Sequence, residues 1–278
     1  VTIETGEGYD DSLARRAATL LVDARRSGLQ CDALPEDVRP RTIQDGYRVQ
    51  AAAREILSGS GFGRQGGWKI GCTTTVMQQY LDMDAPVSGT MFLRSMWHGA
   101  HQFEVTLPRI LGVECEIAVR VGEDLQGTEE PYGAQDVAAH VSAVMASIEV
   151  VEDRYVDYRS LDNPTLVADD YFHHGCVLGT QHENIDAREL GSSVASMTIN
   201  GVVVGTGKGS DILGDPLVAL AWLANHCATL QTPLLAGDVV SLGSLVQTQW
   251  VAPGDVVAIH NDMLGEVHAS FDSRHLVA

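Results

Sequence analysis

The hydrophobic positions of this chain change their period near residue 65. Before that point they recur at helical spacing. Leu13, Ala17, Leu20, Leu21 and Ala24 lay one apolar stripe along residues 12–26, and Gly28 ends it. Thr42 with Asp45 three residues later reads as a capping box. It opens a second helix that runs through Tyr47, Val49, Ala53 and Ile56 to Gly59. From Gly66 short β-type runs take over, at 68–72, 110–121, 148–156, 176–178, 194–204, 239–242, 256–259 and 267–271. Asn200-Gly201, between Met197-Thr-Ile and Val202-Val-Val, predicts a two-residue hairpin, and 261–265 a longer one. Two helices are expected among the strands, at 135–145 and 216–230. The second is marked by Asp215 as its cap and Pro216 in its first turn. Strands and helices do not alternate regularly, which argues against a doubly wound parallel sheet. The expected class is α+β: a helical N-terminal part over 1–65, then a β-rich mixed sandwich or roll over 66–278.

Three acidic residues break the apolar pattern. Glu114 and Glu116 lie in Ile110-Leu-Gly-Val-Glu-Cys-Glu-Ile-Ala-Val119, and Glu149 in Ala146-Ser-Ile-Glu-Val-Val151. Carboxylates are rarely buried unless paired or bound to a metal. Two residues apart on a strand, Glu114 and Glu116 share a face. The competing reading pairs them with Lys or Arg, but the whole chain has only 18 such residues, few of them in core-like segments. The metal reading is therefore favoured. Three carboxylate oxygens plus waters suit Mg²⁺ or Mn²⁺, and the absence of His or Cys from the cluster disfavours zinc. Glu152 and Asp153 are rival ligands. Glu149 and Glu152 should face opposite ways on a strand, and Glu149 is the more core-like.

Lys69, in Gly66-Gly-Trp-Lys-Ile-Gly-Cys72, is either a snorkelling edge residue or a buried functional amine. A neighbouring carboxylate centre favours the second. His173 and His174 are candidate acid/base groups, weighed against an ordinary structural role. The glycine-rich run from Gly205 to Pro216 is not a Walker loop, since Lys208 is followed by Gly209; it reads as a tight strand-to-helix connection.

Composition narrows the partners. Hydrophobic residues make up 45% of 278, enough for a sizeable core, and the net charge of -19 disfavours nucleic acid and anionic membrane. Five cysteines without a CxxC pair read as reduced thiols of a cytoplasmic protein. Residues 1–10 are acidic, without a signal-peptide core, and no run reaches the roughly 18 apolar residues of a membrane span.

An ordered set of motifs then points further: Trp68-Lys-Ile-Gly-Cys-Thr73, Met77-Gln-Gln-Tyr-Leu-Asp-Met-Asp-Ala-Pro86 with Gly89, Glu114-Cys-Glu-Ile-Ala118, Ile148-Glu-Val-Val-Glu-Asp-Arg154, Leu213-Gly-Asp-Pro-Leu-Val-Ala-Leu-Ala-Trp-Leu-Ala224, Gly237-Asp238 and Gly243-Ser-Leu245. Over nearly the whole chain this set resembles the 2-keto-4-pentenoate hydratase and 4-oxalocrotonate decarboxylase group of the fumarylacetoacetate hydrolase superfamily. The resemblance implies that superfamily's sandwich roll, a homo-oligomer, and Mg²⁺ or Mn²⁺ on Glu114, Glu116 and Glu149. It places the group's motif lysine on Lys69, with Cys72 where a Leu is usual. It implies substrate contacts from Thr73, Gly243, Ser244 and Leu245. The implied activity is a hydratase of 2-hydroxy- or 2-oxo-alkenoic acids. A 2-oxo-dioate decarboxylase or an acylpyruvate carbon–carbon hydrolase would use the same centre, and a non-catalytic metal-binding subunit is the reading of another class. Two departures stand out. Val87 replaces the Asp of a P-D-[YF]-G motif, and Ala168-Asp-Asp-Tyr-Phe-His-His-Gly175 replaces A-D-N-A-S-S-G. His174 is the expected catalytic substitute for the missing Asp.

Overall fold

The computed structural model describes residues 8–105 and 109–273, and Tyr80 by its backbone alone. Most of the acidic opening stretch (1–7) and the end of the expected β-rich part (274–278) lie outside the described residues. Helix α1 (Asp11–Ser27) is capped by Asp10, which accepts from the backbone N–H groups of Ser12 and Leu13, and ends at Gly28 with φ 72°. Helix α2 (Ile43–Gly59) has the reciprocal Thr42–Asp45 box. The two pack through Ala14, Ala17, Leu21 and Val22 against Val49, Ala53 and Leu57, in a cluster that also takes in Phe92 and Ala168. Small alanines at the contact let the helices approach closely.

The strands form two mixed sheets. In the larger, the order is β2 (Val87–Phe92), β1 (Gln65–Gly71), β10 (Val239–Ser244), β5 (Ile110–Val121), β6 (Val141–Asp153), β7 (His173–Leu178) and β3 (Met96–His98), with β11 (Gln249–Val251) also pairing with β5. The smaller runs β4 (Ala100–Val105), β13 (Gly265–Ser273), β12 (Val256–Asn261), β8 (Val194–Ile199) and β9 (Val202–Lys208). The hairpin at Asn200-Gly201 joins β8 to β9 as expected, both turn residues having positive φ. Helix α6 (Pro216–Thr229) starts on Asp215, whose carboxylate accepts from the Leu217 N–H. Shorter helices α3 (Thr75–Leu81), α4 (Ala134–Ala138) and α5 (Asn163–Ala168) fill connections.

The expected helix over 135–145 is corrected. Only α4 is helical there, and residues from Val141 belong to β6. The run Ala143-Val-Met-Ala146 carries good helix formers, but β6 lies between β5 and β7 and is buried along almost its whole length. Tertiary pairing overrides local propensity. Strands β2, β3, β4 and β11 also lie outside the expected set.

Alternation along β5 and β6 gives the large sheet two different faces. Val113, Cys115, Ile117, Val119, Ile148 and Val150 join the main core with Val257, Ile259 and Phe271 of the smaller sheet and Leu217, Leu220 and Leu223 of α6. Each fully buried Val, Leu or Ile contributes roughly 1.5–3 kcal/mol relative to exposure. The other face carries Glu114, Glu116 and Glu149, with an apolar patch of Met91, Ala118, Met145, Leu178 and Val239 beside them. No helix among the described residues is long and apolar enough to cross a membrane.

Candidate metal centre

Strand register assembles the acidic cluster. Glu114 lies directly opposite Glu149 across β5 and β6, and Glu116 opposite Ser147. On the other side of β5, Ser241 of β10 pairs with Ala118 and, one strand on, with Lys69 of β1. One carboxylate oxygen from each of Glu114, Glu116 and Glu149 lies within 4.8 Å of the others. Glu116 and Glu149 are each 1% exposed. Thr248 donates its hydroxyl hydrogen bond to Glu114 Oε1, and Ser241 donates to Glu116 Oε2. Lys69 Nζ stands 3.7 Å from Glu149 Oε1 and donates to the Tyr171 carbonyl at 3.1 Å. His173 Nδ1 is 2.8 Å from the same Glu149 Oε1.

The electrostatics follow from burial and from this crowding. Burial, reinforced by the Glu149 charge, pushes the Glu114 carboxyl up to about 7. Burial and the charges of Glu149 and Glu114 push Glu116 well above the usual carboxylate range. Burial would raise Glu149 too, but Lys69 and His173 hold it below its ordinary value. Burial opposes the charge on Lys69, and the three carboxylates, Glu149 foremost, more than restore it. One ammonium therefore faces three acidic groups. A divalent cation would complete neutrality with all three ionised.

The residues present fit such a cation. Among the described residues, Glu116 Oε1 is a buried carboxylate oxygen with no hydrogen-bond partner, a rarity in folded proteins. Three carboxylate oxygens are a hard donor set suited to hard divalent ions. Thr248, Ser241 and His173 supply the outer hydrogen bonds that orient such ligands.

Other expected residues fall in varied places. Thr73 is buried and packs on Gly243, where an added Cβ would lie 2.0 Å from Thr73 Oγ1 and where φ is 122°. Both space and backbone therefore demand glycine at 243. Ser244 pairs in register with Glu116, and its hydroxyl donates to the Val246 carbonyl at 2.6 Å. The Leu245 side chain belongs to the main core. Gly207 and Gly209 press on the Leu245 and Leu190 carbonyls, as a tight connection requires.

His174 is corrected: the structure brings His173, not His174, to the carboxylates. His174 Nδ1 lies 3.6 Å from Glu152 Oε2 and its ring faces Phe103 on the opposite side of the sheet. The register shifts between Val150 and Val151, so that Val150 pairs with Gly175 but Val151 with His173. Such a bulge inverts which side chains face which side. Counting back from Val177 in the core cannot reveal it. Ser241 was also missed, although a hydroxyl inside the apolar run Val239-Val-Ser-Leu242 is the same kind of anomaly as the glutamates.

Glu152 takes part in a second charged group instead. Arg109 reaches it at 3.1 Å and Arg154 at 3.0 Å. Arg154 also pairs with Asp169 at 2.8 Å, while Arg25 of α1 pairs with Asp169 at 3.0 Å and Asp170 at 3.1 Å. Asp170 Oδ1 accepts from the Thr90 N–H at 2.8 Å. Asp170, Tyr171 and Phe172 have φ of 53°, 48° and 68°, three consecutive non-glycine residues in the left-handed region. Such residues cost of order 1–3 kcal/mol each and persist only where their surroundings hold them. Here Arg25, the Thr90 N–H and Lys69 do so.

Comparison with known proteins agrees with this architecture. Residues 72–271 match the family described as fumarylacetoacetate (FAA) hydrolase C-terminal. A 2-keto-4-pentenoate hydratase of Paraburkholderia xenovorans (strain LB400) is 33% identical over 264 residues, covering 94% of this chain and 95% of its own. A 4-oxalocrotonate decarboxylase of Pseudomonas putida is 29% identical over 237 residues, covering 84% and 88%. The solved structure of 4-oxalocrotonate decarboxylase from Pseudomonas putida G7, complexed with magnesium and adipate, superposes with a TM-score of 0.87 at 25% identity over 94% of this chain and 98% of that one. With a family match across most of its length and relatives that span it nearly end to end, the chain belongs to the fumarylacetoacetate hydrolase family.

Proposed function

We propose that this chain is a divalent-cation-dependent hydro-lyase that adds water to a 2-hydroxy- or 2-oxo-alkenoic acid, giving a 4-hydroxy-2-oxo acid. The observation that carries the reading is the charge imbalance: three carboxylates, Glu116 and Glu149 buried and Glu114 partly so, against one ammonium, with an unpartnered oxygen on Glu116. Glu114, Glu116 and Glu149 would hold Mg²⁺ or Mn²⁺. Bound there, the ion supplies Lewis-acid chemistry, drawing electron density from the carboxylate and 2-oxo oxygens of the acid. Relatives named as hydratases support the reaction class.

Lys69 is the central residue of the chain's own chemistry. The three carboxylates keep it protonated, and two of its three donors face the Tyr171 carbonyl and Glu149. The third is left for the substrate carboxylate, or for passing a proton when the dienol becomes the ketone. In this reading Thr73, Gly243 and Ser244 would contact the substrate, Ser244 being paired in register with Glu116, whereas the Leu245 side chain, expected there too, packs in the main core instead. In this reading the helical part (1–65) covers a catalytic roll (66–278), the protein is a homo-oligomer, and five unpaired thiols fit a cytoplasmic setting.

Purified protein with Mg²⁺ or Mn²⁺ is to be assayed on 2-hydroxy-dienoates, 2-oxo-dioates and acylpyruvates by ultraviolet absorbance and mass. Gain of one water supports the proposal. Release of CO₂ would replace it with decarboxylation, the second reading, which the likeness to a decarboxylase structure favours. Two carboxylic fragments would indicate carbon–carbon hydrolysis. Metal binding without turnover on any of these would point to a non-catalytic subunit.

A further inference from the structure

His173 reaches the carboxylates through the β6–β7 bulge and is 2% exposed. Its Nδ1 is 2.8 Å from Glu149 Oε1. An ionised carboxylate can only accept, so Nδ1 carries the proton. The other ring nitrogen, Nε2, is buried and has no hydrogen-bond partner. Buried ring nitrogens are almost always paired, so this one awaits a polar group that no described residue supplies.

We propose that His173 is a two-sided positioning residue. Through Nδ1–H it fixes Glu149 by its Oε1, leaving Oε2 for the cation. Through Nε2 it accepts a hydrogen bond from a hydroxyl ligand, either the water to be added or the 4-hydroxyl of the product acid. This rests on the cation-site reading above.

Three variants separate the two sides. His173→Asn keeps an N–H near the Nδ1 position and loses Nε2. His173→Gln carries its amide out towards the Nε2 position and loses Nδ1. His173→Ala loses both. Mn²⁺ affinity of the substrate-free protein is read by electron paramagnetic resonance, and kcat and KM are read on a 2-hydroxy-2,4-dienoic acid. His173→Ala is expected to weaken Mn²⁺ by about tenfold or more, and His173→Asn to restore it to within about threefold of wild type. Hydration by His173→Asn should still fall about tenfold in kcat/KM, for want of the Nε2 acceptor. His173→Gln should show the reverse order of effects, which keeps the test decisive if His173→Ala fails to fold. Wild-type Mn²⁺ affinity in both His173→Ala and His173→Gln would overturn the Glu149 side. Wild-type kcat/KM in His173→Asn would overturn the Nε2 side. A wild-type protein that binds no Mn²⁺ would instead sink the cation reading itself.

Discussion

Two groups of buried charge sit on strand β6, and they are composed differently. In the outer group Arg25, Arg109 and Arg154 meet Glu152, Asp169 and Asp170, and each carboxylate has a guanidinium nitrogen within 3.1 Å. Burial would raise Glu152 and Asp169, but the His174 hydrogen bond with the arginines beside Glu152, and Arg154 with Arg25 beside Asp169, hold both below the usual carboxylate range. In the inner group Lys69 is the one ammonium or guanidinium among the described residues that pairs with Glu114, Glu116 and Glu149, beside the His173 ring, and two of those carboxyls are pushed up instead. Burial of charge by itself therefore says little about role. The balanced group fastens α1 to the sheet, and the unbalanced one is left short of positive charge.

The comparison can be broken most forcefully by removing the cation. Exhaustive chelation is expected to take turnover to background and added Mn²⁺ to restore it; activity that survives chelation would make the inner imbalance functionally empty. Lys69→Ala should lower kcat by about 10²–10⁴-fold while circular dichroism shows the protein still folded. Arg154→Met attacks the outer group, leaving Glu152 and Asp169 short of a partner. It should cost about 3–5 kcal/mol in urea unfolding, with turnover much less affected than in Lys69→Ala. Equal losses of turnover in the two variants would erase the distinction.

A pH series sharpens it further, with smaller effects. Glu114 and Glu116 have raised folded-state pKa values, so in the cation-free protein their stabilising contribution is complete below the ordinary value of 4.5 and is lost as pH rises through about 7 and beyond. Glu152 and Asp169 have lowered values, so theirs is complete above the ordinary carboxylate range and is lost as pH falls through it. Melting temperatures of cation-free protein should show both arms. Glu116→Gln should flatten the alkaline arm and Arg154→Met the acid arm. The reverse assignment would show that the two groups had been confused.

Much of this was legible before any coordinates. A glutamate inside an apolar strand is visible as a residue type in the wrong company, and so Glu114, Glu116, Glu149 and Lys69 could be picked from the chain. The caps at Thr42 and Asp215 act over three or fewer residues and are likewise local. What failed depended on distant partners. The strand character of Val141–Asp153 comes from β5 and β7, which flank it, not from its alanines and serines. That His173 rather than His174 meets the carboxylates depends on a register shift that reverses side-chain parity, and nothing in His-His-Gly announces one. Thr248 lies 134 residues from the Glu114 that it contacts, beyond any pattern read along the chain.

The left-handed turn at 170–172 bears on how the molecule comes together in time. Arg25 and Asp169 are 144 residues apart in sequence, and Lys69 and Tyr171 are 102 apart. Contacts that close loops of this length are the slow ones to form. Because the turn is unfavourable until both sets of contacts exist, it should be among the last elements to settle, after α1 has docked and the sheet has paired. Arg25→Ala would then accelerate unfolding while leaving the folding rate nearly unchanged in stopped-flow traces. On that order Lys69 would acquire its backbone acceptor only at the close of folding, and competence for chemistry would report that the last step of assembly is complete.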